Sequence, residues 1–358
     1  MTRPASRSDA SFLALIAGLS LMCALPALAQ NARQDSRPSA QPAAQPVTAV
    51  NISALRERAI GMLVDLSGHQ DPQVRANAVE GLEGAPGRVE PIVALAVLDD
   101  NIGVRAVGLM VAGRQELDSA LPAARLNATD PSPYVQAAAL FALKRLDESP
   151  DLSPLGRMLF ESDEPQVRAY AAFILGEIGE ESALGMLRQA ASRPMPRARE
   201  SALLLMRLQI AEAMIKLGDD DQLHTLHAAL FPSRPEDLEA AALAAQILGE
   251  VDAQRSIPDL INLAVTQDEQ GNQMPAEIRL AAAHSVAKLG RRDGDFIADE
   301  YATSPSPAIR AQVASVYAST LPRDRLGILE AMLDDADPSV QVAAAAGVLA
   351  ATNRLTGR

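Results

Sequence analysis

The sequence has no tryptophan, only four tyrosines and six phenylalanines, three lysines among its 32 basic residues, and a single cysteine in 358 positions. Each shortage excludes something. With Cys23 as the one thiol there is no disulfide framework, no thiolate metal site and no cysteine nucleophile in the body of the chain, so apolar burial must hold the fold. Aromatic residues make up 3% and hydrophobic residues 48%, so the core is built from Ala, Leu, Val and Ile, which points to many thin, similar layers. A formal net charge of −13 leaves no basic footprint for nucleic acid. The scarcity of lysine (Lys144, Lys216 and Lys288) makes local positive clusters arginine clusters, suited to fixed ion pairs. A mean hydropathy of +0.03 with 22% charged residues excludes both a disordered acidic tail and a multi-span membrane protein.

Signatures of chemistry are missing as well. No glycine-rich phosphate loop, nucleophile elbow, HExxH or CxxCH occurs. Paired carboxylates such as Asp99-Asp100, Glu180-Glu181 and Asp334-Asp335 fall at turns, where they are solvated, whereas acid and base work needs carboxyl groups held in different environments. His224 and His227 share a helical face just after Asp219, Asp220 and Asp221, but a pair without a third ligand is a weaker reading than a solvated helix with an acidic first turn. His284 suits an inner or packing surface. The sequence therefore names no catalytic residue, cofactor or metal ligand.

What is present begins with an export signature. Arg3 and Arg7 precede an apolar stretch, Phe12 to Leu25, too short to span a bilayer comfortably, and Ala27-Leu28-Ala29 forms a small-residue cleavage site. Residues 1–29 are thus expected to be a secretory signal cleaved after Ala29, placing the protein in the periplasm or outside the cell with no integral membrane segment; a retained anchor is the alternative. Met22 before Cys23 does not suit lipidation. Residues 30–50, rich in Ala, Gln, Pro and Ser without apolar periodicity, read as a flexible linker.

From residue 51 to 358 a short block recurs: DPQVR ending at Arg75, DNIGVR at Arg105, DPSPYVQ at Gln136, DEPQVR at Arg168, MPAEIR at Arg279, SPAIR at Arg310 and DPSVQ at Gln341. Weaker copies end at Arg207 and Glu239, and the spacing is 30 to 32 residues apart from two longer intervals of 39 and 40. A period near 31 accommodates two short helices and two turns. Within the block, Asp or Ser caps a helix start, Pro occupies the first helical position and Val or Ile opens the buried stripe. Three residues past each block end stands a column of mostly small residues, among them Ala78, Gly108, Ala139 and Ala171, which permits close helix approach. Gly179, Gly218, Gly249 and Gly290 mark helix ends, with Gly249 one residue out of register. The fold class is all-α: about nine antiparallel helix pairs in an α-solenoid.

Residues 166–179 (QVRAYAAFILGEIG) and 277–290 (EIRLAAAHSVAKLG) resemble the second helix of HEAT repeats of the short PBS-lyase kind. That resemblance implies a right-handed superhelix with the second helices on its concave side, and a ladder of Asp and Arg between neighbouring units. Carried onto this chain, the ladder is Asp71, Arg75, Arg105, Asp130, Asp163, Arg168 and Asp337, while Arg207, Arg279 and Arg310 have no evident Asp partner and Glu239 reverses the charge. Nothing matches a chromophore-handling motif.

The two long intervals place insertions at Arg193–Glu200 (RPMPRARE) and Thr266–Pro275 (TQDEQGNQMP). Arg193, Arg197 and Arg199 form the tight basic cluster of an acidic chain, flanked by Pro194 and Pro196, and an acidic segment of a partner is its natural complement. The expected function is that of an exported, non-catalytic scaffold binding a protein or peptide through its concave face and central insertions. The alternative is an accessory subunit of an envelope enzyme, or a solenoid that holds a cofactor or substrate.

Overall fold

The computed structural model describes residues 49–357 apart from 268–270, 272, 293 and 322. The expected signal and nearly all of the linker lie outside the described residues. Eighteen α-helices are present among the described residues, without a strand. They run α1 Ala49–Leu66, α2 Pro72–Gly81, α3 Pro86–Ala96, α4 Ile102–Arg114, α5 Leu121–Asn127, α6 Pro133–Arg145, α7 Ser153–Glu161, α8 Pro165–Ile178 and α9 Leu184–Ser192. There follow α10 Glu200–Lys216, α11 Leu223–Ala229, α12 Leu238–Glu250, α13 Ile257–Val265, α14 Ala276–Lys288, α15 Asp295–Tyr301, α16 Pro307–Thr320, α17 Gly327–Met332 and α18 Pro338–Thr356. Consecutive helices pair, each even-numbered helix packs on the next even-numbered one, and nine pairs stack as an α-solenoid.

The block chemistry explains where the inner, even-numbered helices start. Asp71 and Asp337 accept hydrogen bonds from the amides of Gln73 and Ser339, Asn101 does the same for Gly103 and Val104, and Pro72, Pro133, Pro165, Pro307 and Pro338 open the first turn. Gly179, Gly218 and Gly290 adopt left-handed φ of 79°, 94° and 88° at the other end. Gly249 does not. It lies inside α12, where an added Cβ would come within 2.8 Å of the Ser285 side chain, and Asp252 at φ 53° takes the left-handed position instead. The sixth unit is out of register because its glycine serves helix approach.

Small residues set the layer spacing. A Cβ on Gly108 would lie 2.9 Å from Cβ of Ala96 on the paired outer helix, and one on Gly176 would lie 2.8 Å from Cα of Ala213 on the next inner helix. Around these approaches Leu63, Leu109, Leu155, Leu187, Leu226, Leu260 and Leu329 are fully buried, one apolar layer after another.

The last layer does not end the stack. α18, the longest of the described helices, packs against both α1 and α2, so the ninth pair meets the first and the array closes into a ring. Nη1 of Arg56 on α1 donates to Oδ1 of Asn353 (2.7 Å) and Oγ1 of Thr352 (3.1 Å), and its Nη2 donates to the Gly84 carbonyl (2.8 Å). Nδ2 of Asn353 donates to that carbonyl too, at 2.9 Å. Added Cβ atoms at Gly81 and Gly84 would come within 3.1 Å of Cβ of Ala346 and 2.9 Å of Cβ of Leu349. The apolar faces that two free ends would show to water are buried here against each other, with Leu55, Leu63, Leu349 and Ala351 nearly inaccessible. The concave face expected of an open superhelix is therefore the inner wall of a closed ring.

Candidate functional site

Ring closure gathers residues that are far apart in sequence around a central cavity of about 440 Å³. Every inner helix but α6 contributes, mostly from its last turns: Glu80 from α2 and Glu83 just beyond it, Arg114 from α4, Phe173 and Glu177 from α8, Glu212 and Lys216 from α10, Glu250 from α12, His284 and Lys288 from α14. Small residues of α16 and α18, including Ser315, Ser319, Ala343, Ala346 and Gly347, complete the wall. Read block by block, the sequence draws attention to no polar cluster in adjacent second helices beyond the Asp/Arg set. The structure assembles one.

Its charges are interlinked. Nη1 of Arg114 is 3.1 Å from Glu83 and 3.6 Å from Glu80, and its Nε is 3.9 Å from Glu177. Lys216 bridges Glu177 (2.6 Å) and Glu212 (2.7 Å), its ammonium 5.1 Å from the Phe173 ring centre, and Lys288 pairs with Glu250. Burial lifts the Glu80 carboxyl to about 7, against the pull of Arg114, and raises that of Glu212 against Lys216. Burial alone would lower the Arg114 guanidinium, but Glu83, Glu80 and Glu177 outweigh it and hold the charge more firmly than usual. Burial, followed by the Lys288 charge, depresses the His284 imidazole to about 3, so it is neutral at physiological pH. Five carboxyl groups face three permanent cations across this wall, and Glu80 sits at the balance point between charged and neutral.

The ladder lies at the opposite ends of the inner helices, along the other rim. Arg75 donates to both oxygens of Asp99 (2.8 and 2.9 Å), Arg105 to Asp130 (3.1 Å) and Arg310 to both oxygens of Asp335 (2.8 Å each). In each case the acid belongs to the next unit and stands two residues before its helix cap, where it also accepts the cap's backbone amide. The same arginines close their own turn by donating to carbonyls of residues 69, 99 and 304. Asp71 and Asp337, by contrast, cap α2 and α18, and Asp163 is exposed with Glu164 in the cap position. Arg310 thus has its partner in Asp335, and Arg279 finds Glu300, Tyr301 and Gln273 from a buried position. Arg207 is exposed. Where the column carries glutamine, Gln136 and Gln341 reach carbonyls of residues 128 and 335.

Arg168 breaks the pattern. It is buried, its Nε donates to the Ser162 carbonyl at 2.7 Å, and its Nη1 has no hydrogen-bond partner. The segment facing it is the first insertion, between α9 and α10. Arg193, Arg197 and Arg199 are exposed there, with the Arg193 guanidinium 5.6 Å from the Phe160 ring centre, and no described carboxylate pairs with any of the three. Of the acids close by in sequence, Glu180, Glu181 and Glu200, none pairs with them: Glu200 meets Arg234 (3.1 Å) and Glu180 meets Lys144 (2.6 Å). Burial and then the nearby charge of Arg193 lower the Arg168 pKa. The second insertion lies partly outside the described residues; Gln267 and Gln273 form an isolated antiparallel bridge across it.

Nε2 of His227 lies 2.6 Å from Oγ of Ser256, in the next pair, and His224 is exposed. Among the described residues no three His, Cys, Asp or Glu side chains are grouped to hold a metal ion, and no helix is long and apolar enough to cross a membrane.

Fold and cavity define a class: an all-helical repeat scaffold whose stack is closed around a polar centre. Its repeats are of a known kind at the centre of the chain, where residues 152–242 match the family model for HEAT repeats. No curated protein matches this chain. Among solved structures, the complex of CpcE and CpcF of phycocyanin lyase from Nostoc sp. PCC7120 is similar at 17% identity over 81% of this chain and 100% of that one, with a TM-score of 0.41. Human deoxyhypusine hydroxylase in complex with glycerol is similar at 16% identity over 66% of this chain and 96% of that one, with a TM-score of 0.32. A Kap121p mutant is similar at 11% identity over 80% of this chain and 37% of that one, with a TM-score of 0.33. None of these likenesses carries an activity to this chain.

Proposed function

We propose that this protein is an exported, non-catalytic HEAT-repeat ring that binds a protein or peptide partner, and that a single extended segment of that partner enters the central cavity. The observation that supports this reading is the closure of nine helix pairs around about 440 Å³ lined by charged side chains. That volume is of the order of an ordinary ligand pocket, roughly 300–1,000 Å³, and is far too small for a folded domain. Wall charges already paired with each other give a segment entering the cavity prearranged hydrogen-bonding groups of both signs. Export rests on the sequence signature at residues 1–29.

The test uses the absence of other thiols. In a Cys23→Ser background, Ser319→Cys places one thiol on the cavity wall and Arg88→Cys places one on the outer face. Each is labelled with a benzophenone maleimide, exposed to the envelope fraction and irradiated. Cross-linking of a discrete partner from position 319 and not from 88 is the expected result; cross-linking from 88 alone overturns cavity entry. The size of the cavity also suits the alternative of a held cofactor or substrate, which would be seen as a stoichiometric small molecule in native mass spectra of the purified protein.

A further inference from the structure

Along the ladder, Arg75, Arg105 and Arg310 each meet an aspartate supplied by the next unit, and Arg279 meets Glu300. Two arginines of the same column receive none, the exposed Arg207 and Arg168, and of these Arg168 is the buried one. It is 5% exposed, and the place of the acid is taken by a segment carrying three further arginines. One buried guanidinium and three exposed ones in the insertion beside it, Arg193 near enough for its charge to act on Arg168, therefore mark this stretch of rim in a chain of net charge −13, with no described carboxylate ion-paired to them. Such a set is unfavourable in the free protein. Like charges repel, and Nη1 of the buried one has lost water without gaining a partner. An arriving anion relieves both costs. Carboxylates suit this geometry because arginine forks bind them through two parallel hydrogen bonds, as Arg75 and Arg310 already do with Asp99 and Asp335 in the neighbouring rungs. The following turn, tied to the end of the insertion by the Arg234–Glu200 pair (3.1 Å), adds Phe231, 58% exposed, three residues before Arg234. An aromatic side chain beside arginines is the composition of an interface anchor.

We propose that the rim between the fourth and fifth helix pairs, formed by Arg193, Arg197 and Arg199 over the buried Arg168, is the docking site for an acidic segment of a protein partner, whose carboxylates supply the rung that the fifth unit lacks. The site lies at the opposite ends of the inner helices from the cavity wall and stands independently of what enters the cavity. The outer three arginines make the contacts, and Arg168 adds its charge from beneath.

The probe is a fluorescein-labelled peptide of alternating glutamate and leucine, titrated into the full chain at low and at physiological salt and read by anisotropy. Binding is expected to weaken as salt rises and to fall at least tenfold in the R193E/R197E/R199E variant, whose circular dichroism matches that of the wild type. Arg193→Glu alone places a carboxylate beside Arg168; it should raise the melting temperature while weakening the peptide. Equal binding by wild type and triple variant overturns the proposal. So does equal or tighter binding of phosphatidylglycerol vesicles or single-stranded DNA, since the site would then be a general polyanion surface. Cross-linking from position 319 is unaffected by these variants, so failure here and failure of the cavity reading are separable.

Discussion

Arg56 of the first helix and Asn353 of the last, 297 residues apart, meet at 2.7 Å and share the Gly84 carbonyl as a common acceptor. This contact is the chemical latch of the ring, and it makes closure measurable.

If the ring is closed in solution, Arg56→Ala should cost about 1–3 kcal/mol, because Asn353 and the Gly84 carbonyl lose a charged partner in a part-buried seam. In a double-mutant cycle with Asn353→Ala the two losses should be non-additive by at least about 0.5 kcal/mol. Urea denaturation gives both quantities. Strict additivity with small losses would describe an open array.

Glycines at the layer contacts and glycines on the surface should respond in opposite directions. Gly176→Ala puts a Cβ 2.8 Å from a backbone atom of Ala213 and should destabilise by about 1–3 kcal/mol through forced displacement of α10. Gly61→Ala, in the interior of α1 with nothing within 4 Å of the new carbon, should stabilise by about 0.5–1 kcal/mol through helix propensity. Melting temperatures of the two variants moving in the same direction would contradict the packing described.

The carboxyl group of Glu80 gives the cavity a pH signature. Its value rises from 4.5 in the unfolded chain to about 7 in the fold, so between these limits the folded protein holds a proton that the unfolded chain releases. The contribution to stability is full below pH 4.5 and is lost as pH rises through 7, amounting to on the order of 1–3 kcal/mol. Glu80→Gln removes the titration. The variant should therefore gain on the wild type between pH 5 and pH 8, as read from denaturation midpoints; a difference that does not change with pH would mean that Glu80 is solvated.

Rungs with and without an acid should differ. Arg75→Met breaks a two-bond pair with Asp99, in which both side chains are about 15% exposed, and should cost about 1–3 kcal/mol. Arg168→Met removes a buried charge that makes no ion pair, with Asp163 acting on it only from a distance, and should cost less than about 1 kcal/mol. Equal losses would show that Arg168 has a partner in solution.

The helix starts were legible because they are chemically local: a capping side chain, a proline and a β-branched residue act within one turn, as Asp71, Pro72 and Val74 do. The ladder was legible only in part. Its arginines stand in a visible column, but the accepting acid sits two residues before the cap, so Asp99 and Asp335 passed for members of solvated acidic pairs while Asp71 and Asp337 drew attention as bridges. The cavity was hidden for a different reason. Arg114, Glu177, Lys216 and Lys288 each stand nine residues past their column position, a regularity that is visible once it is sought, yet their charges differ and each alone looks like an ordinary helix end. Closure itself depends on the summed rotation of nine layers, and no single block encodes that sum. What the ends do carry are Gly81 and Gly84, small where α18 comes closest, in a stretch that reads in sequence as an unremarkable turn.

Closure has a consequence for how such a chain can change length. An open stack can gain or lose a 31-residue unit at either end, because each layer needs only its neighbour. A circle of nine has no end to extend. One more or one fewer pair would alter the turning angle required of every layer and pull Arg56 away from Asn353. Variation is then confined to directions that leave the circumference alone, such as a longer α10 or the added, exposed turn at residues 193–199 between α9 and α10. The ring thus fixes the number of its parts while leaving its edges free to diversify.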